Sequence, residues 1–150
     1  MENVIVDNKN HFTKYLTPND PLYPCDAVGE TYKGTCYLMQ TSYMLKVTSG
    51  NFGKVFDLCS SVEQQYRNTC FESLGRDASG RSISQVGATK ATCALGSTEE
   101  ARVHCIIGAV KDFISYFHSD TQAKGLCQAL EEEALKSACA STTQSYYQSF

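Results

Sequence analysis

Eight cysteines fall in four pairs, Cys25/Cys36, Cys59/Cys70, Cys93/Cys105 and Cys127/Cys139, and the first members stand 34 residues apart. The second members follow one another at steps of 34, 35 and 34. A fixed period of this size marks a stacked array, in which each unit is too small to bury its own apolar face and borrows one from its neighbours. The spacing therefore predicts an all-α solenoid of about four 34-residue helix-turn-helix repeats, forming one domain over residues 1–150.

Helix signals carry the same period. The stretch "STEEARVHCIIGAVKDFISYF" sets Val103, Ile106, Ile107, Val110, Phe113, Ile114 and Phe117 at steps of three and four, which gathers them on one helical face. Ser97 with Glu100, and Ser60 with Glu63, have the spacing of a capping box. Both fall between paired cysteines, so each pair is expected to straddle a helix-turn-helix corner. First helices are expected near 51–59, 82–95 and 120–129, and second helices near 30–45, 62–74, 98–117 and 131–147. Pro18, Pro21 and Pro24 replace the first helix of the first unit by an extended or single-turn piece. Residues 1–20 are expected to be irregular, and the links "VTSGN", "RDASGRS" and "HSD" read as turns between units.

An even number of cysteines in strict pairs fits disulfides formed in an oxidising compartment, each adding roughly 2–4 kcal/mol. Pairing within each unit leaves no orphan. The rival places each pair on one continuous helix, where eleven residues make about three turns, and bonds Cys25 with Cys70, Cys36 with Cys59, Cys93 with Cys139 and Cys105 with Cys127. The capping boxes and Gly29, Gly34 and Gly96 weigh against those long helices.

The units "CDAVGETYKGTCYLMQTSYML", "CSSVEQQYRNTCFESLG", "CALGSTEEARVHCIIGAV" and "CQALEEEALKSAC" resemble the cysteine-paired helical repeats of extracytoplasmic microbial proteins, in which the second cysteine often opens a Cys-Tyr-x-Gly-Leu-Gly-His run. The nearest match here is "CFESLGR", with Ser73 and Arg76 where glycine and histidine would stand, so any role of that histidine is not carried over. The architecture is also similar to tetratricopeptide and Sel1-like arrays. The resemblance implies a place outside the cytoplasm: secreted, periplasmic or at the cell surface. Units of that pattern also end in "MEN", as this chain begins, which implies that Met1 lies inside a longer protein. No leader sequence is legible in residues 1–20, and the aromatic ending "STTQSYYQSF" is expected to lead into further repeats or another domain.

A net charge of -3 with no basic patch argues against a nucleic-acid surface. No apolar run reaches the length of a membrane span, since "VHCIIGAVKDFISYF" is split by Lys111 and Asp112. No catalytic residue is assigned. His104 beside Cys105 reads as a surface histidine next to a structural cysteine, because adjacent helical residues point about 100° apart. Asp120 reads as the cap of a helix starting at Thr121, and Glu131, Glu132 and Glu133 as acids favoured at a helix start. Close cysteine pairs of the C-x2-C kind are missing, so no metal and no cofactor are expected. Seven tyrosines remain: Tyr32, Tyr37, Tyr43, Tyr66, Tyr116, Tyr146 and Tyr147, an aromatic set that on second helices could bind a peptide or glycan. The expected function is a non-enzymatic recognition or scaffold module for a protein, peptide or glycan. The alternatives are a thiol-based metal-binding or redox protein and an accessory domain of a larger enzyme.

Overall fold

The structure, a computed structural model, describes residues 20–82 and 85–149. Among the described residues seven helices follow in order: α1 Glu30–Val47, α2 Phe52–Ser60, α3 Gln64–Arg81, α4 Val86–Cys93, α5 Glu99–Phe117, α6 Thr121–Ala129 and α7 Glu133–Ser149. The fold is all-α. The irregular segment expected over residues 1–20 lies outside the described residues except for Asp20. Residues 21–28 form successive turns closed by bonds such as Cys25 N–H to Leu22 O and Val28 N–H to Pro24 O, in place of the extended or single-turn piece expected there.

The long helices α1, α3, α5 and α7 pack side by side in chain order, and the short helices α2, α4 and α6 lie against them. Four disulfides, Cys25–Cys36, Cys59–Cys70, Cys93–Cys105 and Cys127–Cys139, each join a long helix to the segment before it. The crossed pairing is not the one adopted. The core runs through the interior between the two rows and includes Met44, Leu45, Val55, Phe56, Phe71, Leu74, Ile106, Val110, Phe113, Ile114 and Leu126. Of the face expected on α5, Ile106, Val110, Phe113 and Ile114 are fully buried, while Phe117 emerges at the helix end.

Two local expectations are corrected. The stretch 76–82 is not a linking turn: α3 continues to Arg81, because Ala78 and Ser79 are buried and Ser79 bonds to Asp112 on α5. Tertiary contact here outweighs the weak helix preference of glycine and serine. The caps also shift by one position or more. Thr98, not Ser97, accepts from the Ala101 amide at 3.1 Å, while Ser60 ends α2 and donates back to the Phe56 carbonyl at 2.9 Å. Asn51 starts α2 by accepting from the Lys54 amide.

The "VTSGN" link closes α1 as a Schellman motif. Gly50 N–H reaches Leu45 O at 2.7 Å and Ser49 N–H reaches Lys46 O, with φ of 56° at Ser49 and 79° at Gly50. These left-handed residues turn the chain sharply into α2.

Helices α3 and α5 approach each other closely. A Cβ on Gly75 would stand 1.9 Å from the Cys105 carbonyl oxygen, and one on Gly108 would stand 1.9 Å from that of Glu72. Two glycines thus let backbone rest on backbone from both sides. Counted from the second cysteine, Gly75 corresponds to Thr41 and Gly108 to Ser73. At the α1–α3 contact those hydroxyls meet at 2.7 Å.

Candidate recognition groove

A cavity of about 430 Å³ crosses the four long helices. Leu38 of α1 forms one edge and Tyr146 of α7 the other, with Ser73 and Gly108 between them. Charge comes from α3 and α5 as Glu72, Arg76, Lys111 and Asp112. The chain places these groups by repetition. Six and seven residues after the second cysteine stand Ser42-Tyr43, Arg76-Asp77, Lys111-Asp112 and Ser145-Tyr146 in successive units. A four-residue step along a helix keeps a face, so Glu72 joins Arg76 on one side of α3.

In the three later units the seventh position reaches back to the preceding long helix. Asp77 accepts from Thr41 at 2.6 Å and from Ser42 at 3.1 Å, and Asp112 accepts from Ser79 at 2.7 Å. The Tyr146 hydroxyl meets that of Ser115 at 3.0 Å. Only Tyr43 turns inward, where its hydroxyl is buried with no hydrogen-bond partner among the described residues. Burial pushes the Asp77 carboxyl above its ordinary value, against the opposing pull of the Thr41 hydroxyl and the nearby Arg76 charge.

Glu72 joins the groove to the α3–α5 contact. It meets His104 Nδ1 at 2.7 Å and Lys111 Nζ at 3.3 Å. Burial raises the Glu72 carboxyl, but the His104 hydrogen bond and the Lys111 charge prevail and hold it below the usual range. His104 is therefore not a plain surface histidine: it is three-quarters buried and its ring is held by Glu72. Arg76 donates to the Leu38 carbonyl at 2.8 Å and to Ser73 at 3.3 Å, so its charge faces the groove with no carboxylate in salt-bridge reach among the described residues.

A second row of contacts lies outside the sequence expectations. A basic residue stands three positions before every second cysteine: Lys33, Arg67, Arg102 and Lys136. Lys33 pairs with Glu63, and Arg102 grips Glu132 with two bonds of 3.0 and 3.2 Å. Each of these pairs joins one unit to the next. Glu131 lies 3.4 Å from Lys90, so of the three acids only Glu133 falls within α7, and Glu131 and Glu132 hold other elements. Asp120 precedes α6 as expected, but its carboxylate pairs with Lys124 at 2.9 Å and makes no capping bond.

The seven tyrosines do not line one face. Tyr37 and Tyr43 are buried at 1% exposure, and the Tyr37 ring packs 5.9 Å from that of Tyr66, whose hydroxyl donates to Glu30. Tyr32 and Tyr116 are exposed elsewhere, the latter edge-on to Phe117. Tyr146 lines the groove, and Tyr147 lines a separate cavity of about 400 Å³ between α6 and α7. With all eight sulfurs in disulfides, no thiolate is present to act as ligand or nucleophile. Among the described residues no helix is long and apolar enough to cross a membrane, and no group of three or more His, Cys, Asp or Glu residues is set to hold a metal ion.

No known protein family, curated protein or solved structure matches the chain.

Proposed function

We propose that the four cysteine-stapled units stack as a solenoid whose long helices present a non-enzymatic recognition surface for a protein, peptide or glycan. The reading rests on the groove across α1, α3, α5 and α7, where Arg76 keeps its charge free of a carboxylate partner between an apolar edge at Leu38 and an aromatic one at Tyr146. Extended surfaces of stacked helices commonly take up partners along this side. Alternating cationic, anionic, hydroxyl and aromatic groups suit a polar chain with side groups of mixed charge, and a peptide is the ligand class favoured. The four disulfides fit work in an oxidising environment, so a secreted, periplasmic or cell-surface place is part of the same proposal.

The test is to probe peptide and glycan arrays with the oxidised protein and with the Arg76→Ala, Lys111→Ala double variant. Binding of a peptide or glycan that the double variant loses by about tenfold or more, the order of removing a charged hydrogen bond, supports the groove as the site. Ligands bound equally by both proteins, or none at all, would sink it. Unchanged helical circular dichroism guards against misfolding of the variant.

A further inference from the structure

Seven of the eight cysteines are at most 3% exposed, but Cys127 is only partly buried. Its sulfur lies 3.6 Å from the Thr143 hydroxyl, and both residues line the cavity between α6 and α7. Its partner Cys139 is fully buried, with its sulfur 3.9 Å from the Ala123 carbonyl oxygen. In the units before it, the first cysteines Cys25, Cys59 and Cys93 are all at 0% exposure. A disulfide can be attacked only where a thiolate reaches one of its sulfurs. The fourth staple therefore differs from the others in access, not in kind.

We propose that Cys127–Cys139 is a thiol-exchange site: small thiols open it through the α6–α7 cavity while the other three disulfides stay closed. The thiolate of a low-molecular-weight thiol attacks Sγ of Cys127. The Cys127–Cys139 bond breaks, its electron pair leaves on Sγ of Cys139, and that sulfur takes a proton from water. Cys127 is left in a mixed disulfide. A second equivalent of thiol attacks the outer sulfur of that mixed disulfide, frees Cys127 as its thiolate and departs as the oxidised dimer of the reagent. The attacked sulfur is Cys127 because Cys139 is sealed from solvent.

Opening this bond cuts the tie between α6 and α7 but not the grip of α7 on α5. That grip is kept by Leu135 in the core and by the Tyr146–Ser115 contact, and the Arg102–Glu132 pair holds the residue just before α7 to α5. The opened state is thus a local loosening of one helix pair. The long-helix row and the groove remain as they are.

The experiment is a time course of the native oxidised protein with reduced glutathione, without denaturant, followed by acid quenching, alkylation and peptide mapping. Cys127 and Cys139 are expected to open roughly tenfold or more faster than any other pair, access being the factor that separates them. The glutathione adduct is expected on Cys127, with helical circular dichroism unchanged. Four pairs opening at one rate, another pair opening first, or labelling that appears only as helicity is lost would each overturn the proposal. The Cys127→Ser, Cys139→Ser double variant supplies a second readout: the fast phase must vanish from it, and a fast phase that persists places the reactive bond elsewhere.

Discussion

Asp77 links two helices through a carboxylate whose charge is disfavoured by burial. Thr41 and Ser42 donate to it from α1, yet its proton is held more tightly than in a free chain. A carboxyl whose folded pKa lies above the unfolded one adds stability that is fully present below the unfolded value, about 3.9. That contribution is lost as pH rises through the folded value. Asp77→Asn cannot ionise, so the stability of the wild type relative to this variant should fall as pH is raised from about 3 to 7. Denaturant titrations across that range check it, and a difference that stays flat or grows with pH contradicts the assignment. The neighbouring Glu72 behaves in the opposite sense, because the His104 hydrogen bond and the Lys111 charge act on it at contact distance.

At the scale of the helices, the decisive contact is between α3 and α5, where Gly75 and Gly108 admit a facing backbone. Gly108→Ala drives a methyl into the Glu72 carbonyl and should cost about 3 kcal/mol or more, since backbone cannot yield as a side chain does. A methyl on Gly34 of α1 would meet no heavy atom within 4 Å, and Gly34→Ala should stabilise by about 0.5–1 kcal/mol. Denaturant midpoints of the two variants should move in opposite directions; a Gly108→Ala midpoint that does not fall would mean that the close approach is absent. The order and type of the helices were legible from cysteine period and apolar spacing. The extension of α3 to Arg81 was not, because "RDASGRS" has the composition of a turn and is held helical only by what lies across from it. The groove charges had a signal that composition hides: aligned on the second cysteine, Arg76-Asp77 and Lys111-Asp112 fall in the same two columns. Tyrosines drew attention by size alone, and size does not tell core from surface, as Tyr37 and Tyr43 demonstrate.

Over the whole molecule, each disulfide spans only 11 or 12 residues, and none ties one unit to the next. Closing a loop of that length stabilises by about 3 kcal/mol in the chain-entropy account. Four together rival the whole margin of about 5–15 kcal/mol typical of a folded domain. Complete reduction should therefore abolish most helical circular dichroism at 37 °C, and a fully reduced protein that keeps its helices and its cooperative melt would show that packing alone suffices. Contact between units rests instead on glycine-backed packing, the Lys33–Glu63 and Arg102–Glu132 pairs and the hydroxyl contacts of the seventh position. Every cysteine also has its nearest neighbour in sequence as its partner. Wherever such a chain is delivered N-terminus first to an oxidant, each sulfur that emerges unpaired meets the correct mate before any wrong one has appeared, so the order of synthesis itself proofreads the pairing and little reshuffling by an isomerase is called for.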